Sequence, residues 1–215
     1  MDRELALRVA DRYAKGSRAA RGYIAGKLRA DPVISRIVEI GSERNLGHVI
    51  DIGCGRGQLA IALLEAKAAT SVLGFDWDES KIEIARTASM GLAARFEIGD
   101  VRTMTWPAAD TALLIDVLHY VRFSEQEAIL QRACMATKSM VLVRELDPDR
   151  GWRSAITRLQ ERMTTSFAYN TGERLEYRSI SAISTLLETH GFLVEVEPAW
   201  GFTPFSNVLV MARRR

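Results

Sequence analysis

Residues 49–60 read Val-Ile-Asp-Ile-Gly-Cys-Gly-Arg-Gly-Gln-Leu-Ala, and no other run constrains the fold as tightly. The apolar stretch His48–Ile52 enters three glycines at alternate positions and leaves into a second apolar stretch. That pattern predicts a buried strand, a tight turn and a helix in succession. Glycine bends the backbone where a side chain would not fit and lets a ligand approach the main chain. The helix beyond begins with unsatisfied N–H groups. A dinucleotide site wants G-x-G-x-x-G, with the pyrophosphate on the helix N-terminus. Here the spacing is G-x-G-x-G, and Asp51 stands two residues before Gly53. A carboxylate there repels a pyrophosphate and attracts an ammonium group, so the expected ligand carries an amine.

The surrounding chain alternates. Strands are predicted at Ser71–Phe75, Ala94–Ile98, Thr111–Ile115 and Ser139–Arg144. Helices are predicted at Leu59–Lys67, Asp78–Ser89 and Ser124–Met135, the last capped by Ser124 with Glu127 three residues on. Strand–helix alternation means a mostly parallel, doubly wound sheet covered on both faces. Ahead of it lie three helical segments: one on Leu5, Val9 and Tyr13, one over 19–29, and one opened by Asp31-Pro32 and closed by Gly41. Behind it, Trp152–Met163 reads as a helix and Thr164–Glu176 as irregular. A helix over Ser179–Thr189 follows, then an antiparallel pair, Phe192–Glu197 and Asn207–Ala212. The material at 147–178 follows a strand end, where a substrate lid would sit.

A chain of 215 residues suits one domain. The expected division is an N-terminal helical cap at 1–44, a cofactor-binding core at 45–146, a lid insertion at 147–178 and a closing helix and strand pair at 179–215. Residues 1–30 hold eight bases against three acids, +5 in a chain whose formal net charge is +2. Such a segment can attract phosphates, an anionic membrane or an acidic partner, and it also reads as a solvated helical face. No uncharged apolar run approaches the roughly 18–20 residues that span a bilayer. The acid- and base-rich start is not a signal peptide. Cys54 and Cys134 make no disulfide framework, so the expected setting is the cytoplasm.

Asp51-Ile-Gly-Cys-Gly-Arg-Gly57 resembles the first motif of class I S-adenosylmethionine-dependent methyltransferases. Three further runs match that family in order. Gly74-Phe-Asp76-Trp77-Asp78 ends the second strand, Gly99-Asp100-Val101 follows the third, and Leu114-Ile-Asp116-Val-Leu118-His119-Tyr120 ends the fourth. Glu188-Thr-His190-Gly191-Phe192 resembles the helix end before the family's sixth strand. The resemblance covers 45–146 strongly and 179–213 more loosely. It implies an α/β fold with a seven-stranded sheet of order 3-2-1-4-5-7-6, the last strand antiparallel, with S-adenosylmethionine as cofactor and S-adenosylhomocysteine as product.

The resemblance also implies roles. Asp51 and the turn Gly53, Cys54, Gly55 and Gly57 would hold the methionine part of the cofactor. Asp76 would take the ribose hydroxyls, Trp77 would lie against the adenine, and Asp100 and Val101 would bind its edge. Asp116 and Leu118 would line the site of the methyl sulfonium. N-terminal helices of relatives often supply a group for the cofactor carboxylate, and Tyr23 and Lys27, four apart on one helical face, are the candidates. Cys54 reads equally well as a small residue that fits the turn.

Three residues are candidates for catalysis. His119 follows Asp116 at a strand's carboxyl end, where an imidazole could take a proton from a hydroxyl as methyl transfers. It could also serve packing. Tyr120 could point at the substrate, and Glu145 could be a base or a substrate anchor. No histidine–acid set has metal-ligand spacing. The aromatics Trp152, Phe167, Tyr169, Tyr177, Trp200, Phe202 and Phe205 suit an aromatic or acyl substrate. The expected function is O-methylation of a small, hydrophobic molecule, free or bound to a carrier protein. The run Asp116-Val-Leu-His119 lacks the Asn/Asp-Pro-Pro-aromatic pattern of nucleobase amino-methyltransferases, which disfavours nucleic acid. An RNA methyltransferase using the basic segment and a non-catalytic cofactor-binding subunit stay open as alternatives. Oligomeric state is not legible.

Overall fold

The computed structural model describes residues 1–13, 18–148, 175–200 and 206–215. The expected helix at Trp152–Met163, most of the expected lid, and Trp152, Phe167, Tyr169, Phe202 and Phe205 lie outside the described residues.

Seven strands form one sheet: β1 (His48–Ile52), β2 (Ser71–Asp76), β3 (Ala94–Ile98), β4 (Ala109–Ile115), β5 (Thr137–Leu146), β6 (Phe192–Pro198) and β7 (Asn207–Arg214). Their order is β3-β2-β1-β4-β5-β7-β6, as expected. β2 pairs in parallel with β1 and with β3, and β6 pairs antiparallel with β7. The helices are α1 (Arg3–Arg12), α2 (Arg18–Ala30), α3 (Pro32–Arg44), α4 (Gln58–Glu65), α5 (Glu79–Ala88), α6 (Phe123–Ala136) and α7 (Ile180–Thr189). Among the described residues, no helix is long and apolar enough to cross a membrane. By its internal contacts the chain divides into two compact units: residues 1–113 with 136–140, and residues 114–135 with 141–215.

In the first unit, local chemistry sets the helix starts. The Asp2 carboxylate accepts from the Leu5 amide at 2.9 Å, and Asp31 accepts from Val33 and Ile34 ahead of Pro32. Each such cap is worth about 1 kcal/mol. Leu5 and Val9 bury the inner face of α1. Arg12 ties its end down, meeting Glu65 at 2.5 Å and donating to the carbonyls of Ala88 and Met90. β1 is apolar on both faces, with Val49, Ile50 and Ile52 all buried, as a central parallel strand requires.

Gly41 does not close α3. The helix runs on to Arg44, and Asn45 takes the left-handed turn at φ 39°. Gly41 is instead a packing residue: an added Cβ would stand 2.7 Å from the Ala68 Cβ and 2.8 Å from its carbonyl oxygen. Gly→Ala inside a helix ordinarily gains about 1 kcal/mol. Gly41→Ala is expected to lose about 1–3 kcal/mol through overpacking, read as a lowered melting temperature in a thermal denaturation scan.

In the second unit, Ser179 caps α7, its Oγ accepting from the Ala182 amide. It ends with His190 Nδ1 bonded to the Leu186 carbonyl at 2.8 Å. α6 departs from expectation. It begins at Phe123, so Ser124 lies inside the first turn and is not the cap. The Glu176 carboxylate, far along the chain, accepts from the Phe123 amide in its place.

Candidate active site

The first unit carries the glycine turn. Gly53, Gly55 and Gly57 all have positive φ (72°, 56° and 72°). The amides of Gly53 and Cys54 donate to the Phe75 carbonyl at 2.8 and 2.9 Å, which locks the turn onto the end of β2. Asp76 secures it further: one carboxylate oxygen accepts from the Gly55 amide at 2.8 Å, the other from Asp78 at 3.0 Å. Phe96 props the turn from β3. Added Cβ atoms at Gly57 and Gly74 would come within 2.7 and 2.6 Å of its ring, and the one at Gly74 within 2.9 Å of Cys54 Sγ. By contrast, a Cβ built on Gly55 meets nothing within 4 Å, so the turn is open there for a ligand.

Asp51 is 3% exposed, and one of its carboxylate oxygens has no hydrogen-bond partner among the described residues. Burial, and then the neighbouring Asp76 charge, push its pKa up to about 7. An unpaired buried carboxylate is costly, and a cation that supplied its partner would recover that cost. The acidic cradle therefore fits the ammonium of an amino acid moiety and does not fit a pyrophosphate. Burial, with Asp51 and Asp76 adding to it, pushes the Cys54 thiol up, which disfavours the thiolate.

Tyr13 is the residue from the N-terminal helices that reaches this turn. Its hydroxyl donates to the Arg56 carbonyl at 2.8 Å, and burial pushes its phenol up. The sequence showed it only as an apolar position of α1, without a signal for this contact. Lys27 is exposed on α2, and the Tyr23 side chain lies outside the described residues. Trp77 is 59% exposed, with Lys81 Nζ 5.9 Å from its ring centroid. Asp100 accepts from the Arg102 amide and guanidinium, and Val101 follows it at the end of β3.

The second unit carries the other candidates. Asp116 directly follows β4 at φ 57°, a backbone that non-glycine residues seldom adopt. Its amide donates to the Arg144 carbonyl, and the Arg144 guanidinium lies 3.2 Å from its carboxylate. The chain then enters a short 3₁₀ turn, Leu118–Tyr120, with Leu118 and His119 buried. His119 Nδ1 lies 3.0 Å from each Glu145 carboxylate oxygen, and the two residues are 3% and 2% exposed. A carboxylate only accepts, so Nδ1 carries the proton in that contact. Tyr120 is half exposed, with its ring centroid 4.3 Å from that of His119. The sequence did not single out Gln126. It is fully buried, and its amide donates to the carbonyls of Leu118, Val121 and Glu176, which holds the His119 turn in place.

The sheet order is that of the class I methyltransferase fold. Residues 49–139 match the family described as a methyltransferase domain. That segment holds the glycine turn and the acids Asp51, Asp76, Asp100 and Asp116. Among solved structures it is similar to magnesium protoporphyrin IX methyltransferase of Synechocystis PCC 6803 with bound SAH. That match has 20% identity over 97% of this chain and 93% of that one, at a TM-score of 0.68. It is also similar to an O-methyltransferase family protein of Burkholderia thailandensis, at 18% identity, 97% and 63% coverage and a TM-score of 0.66. A putative methyltransferase of Haloferax volcanii, in complex with the Trm112 methyltransferase activator, matches at 14% identity, 87% and 91% coverage and a TM-score of 0.65.

Proposed function

We propose that this enzyme methylates an oxygen atom of a small, hydrophobic, aromatic or acyl molecule, with His119 as general base and Glu145 as the residue that orients it. The observation that carries the reading is the buried His119–Glu145 pair, 3.0 Å apart at the end of the run that begins with Asp116. When bound, S-adenosylmethionine supplies a methyl group already activated on a sulfonium, so positioning does much of the work. Good orientation can be worth roughly 7–11 kcal/mol.

The residues of the chain then divide the remaining tasks. Asp51 pairs with the cofactor ammonium, and the backbone of Gly53, Cys54, Gly55 and Gly57 seats the methionine part. Asp76 takes the ribose hydroxyls through lone pairs beyond the two backbone bonds it accepts. Trp77 covers the adenine, and Asp100 and Val101 take its edge. Asp116 and Leu118 line the sulfonium, and Tyr23 and Lys27 serve the cofactor carboxylate. His119 Nε2 takes the acceptor hydroxyl's proton, and Glu145 stabilises the imidazolium that forms. Tyr120 contacts the acceptor. The +5 charge of residues 1–30 supports an acidic substrate or carrier protein, and two unpaired thiols suit a cytoplasmic setting. The Trm112-bound neighbour supports a second reading, an RNA methyltransferase that works with a partner subunit.

The test has two stages. Calorimetric titration with S-adenosylhomocysteine and with NADH is expected to give micromolar binding of the first and none of the second. Transfer of labelled methyl from S-adenosylmethionine is then compared across phenols, hydroxy acids, carboxylic acids and bulk tRNA. Labelling of tRNA alone would replace the small-molecule reading with the second one.

A further inference from the structure

Tyr177 sits beside the proposed base with a donor that is unused among the described residues. Its ring stacks on the His119 imidazole, with centroids 5.5 Å apart and planes 26° apart. Its hydroxyl oxygen is out of contact with solvent and has no hydrogen-bond partner among the described residues. The residues on either side are pinned. The Glu176 amide donates to the His119 carbonyl at 3.1 Å, and Gln126 donates to the Glu176 carbonyl at 2.8 Å. Arg178 donates to the Phe123 carbonyl at 2.9 Å and lies 4.1 Å over the Phe123 ring. The ring is therefore held over the imidazole by its neighbours and not by its own polar end.

A buried hydroxyl without a partner is unfavourable unless something else completes it. We infer that Tyr177 is a substrate-binding residue whose hydroxyl donates to a second oxygen of the methyl acceptor. The acceptor class is a small hydroxylated molecule that carries a carbonyl or carboxylate oxygen close to the hydroxyl that is methylated. The assignment rests on His119 acting on that hydroxyl, as proposed above. Recognition is then two-pointed: the imidazole takes the hydroxyl proton, and the phenol donates to the neighbouring oxygen. A site built to hydrogen-bond a group discriminates strongly against analogues that lack it.

The probes are salicylate and 3-hydroxyoctanoate, with phenol and 1-octanol as controls that lack the second oxygen. Each is titrated into wild-type protein and the Tyr177→Phe variant, both saturated with S-adenosylhomocysteine. Thermal denaturation of the two ligand-free proteins runs alongside. Wild type is expected to bind at least one two-oxygen probe ten times tighter or more than its control. Tyr177→Phe is expected to lose that preference, to keep its S-adenosylhomocysteine affinity, and to melt within about 1 °C of wild type or above it. Melting more than about 3 °C lower would mean that the hydroxyl is already bonded inside the protein, and would overturn the inference. So would equal or undetectable binding of probes and controls by wild type, or a preference that survives in the variant. Failure of wild type to bind S-adenosylhomocysteine is a distinct result, which overturns the methyltransferase reading beneath it.

Discussion

Asp51→Asn is expected to stabilise the ligand-free protein and to lower S-adenosylhomocysteine affinity by about a hundredfold or more. Asp51 is buried beside Asp76, with one oxygen unpaired among the described residues, and its pKa is raised from 3.8 to about 7. A raised carboxyl pKa means that the folded protein favours the protonated form. The stability it contributes is fully present below the unfolded value and is lost as pH rises through about 7. The ligand-free wild type should therefore lose melting temperature between pH 5 and pH 8 on account of this group. Asparagine removes the titrating charge and with it that part of the slope. Binding has the opposite sign, because the cofactor ammonium needs the ionised carboxylate. Affinity should rise with pH through about 7 in wild type and be low and flat in the variant. Breaking a buried charge pair costs about 3–5 kcal/mol, and each factor of ten is about 1.4 kcal/mol, hence the hundredfold figure. Calorimetry and thermal scans across pH 5–8 read both effects. A variant that binds as wild type would remove Asp51 from the cofactor site.

His119→Ala is expected to lower kcat by about 10²–10⁴, the usual worth of a general base, with S-adenosylhomocysteine affinity changed less than threefold. Glu145→Gln is expected to produce an intermediate loss. A glutamine can still accept from Nδ1–H at the same 3.0 Å position but does not stabilise an imidazolium. The pH dependence separates base catalysis from packing. The pH–rate profiles of wild type and His119→Ala should differ in shape if His119 is the base, and a packing role would leave them parallel. Equal losses in Glu145→Gln and His119→Ala, accompanied by a large drop in melting temperature, would assign the pair to folding instead. The acceptor for these measurements is whichever compound the labelling screen returns.

Much of this molecule was legible before its fold was known, and particular residues show why. The glycines at 53, 55 and 57 are near neighbours in the chain, so spacing alone predicted the turn that their positive φ angles show. The strand order followed from a resemblance carried by four short runs. Helix α6 was less legible, because its start depends on Glu176, fifty-three residues away, and not on the Ser124–Glu127 box beside it. Gly41 looked like a helix stop because glycine serves both stops and close approaches. Only the packing of α3 on Ala68 separates the two.

The sequence by itself determined the alternating α/β class, the glycine turn and the acids at the ends of β1 and β2. Hydrophobic periodicity and glycine spacing are properties of adjacent residues, and they survive without any tertiary contact. The tertiary structure alone decided which groups meet. It paired His119 with Glu145 across 26 residues, brought Tyr13 to the Arg56 carbonyl across 43, and stacked Tyr177 on His119. It also set the proton affinity of Asp51, because that depends on burial and on the charge of Asp76, a residue on a neighbouring strand. A local pattern carries no information about a neighbour that only chain folding supplies.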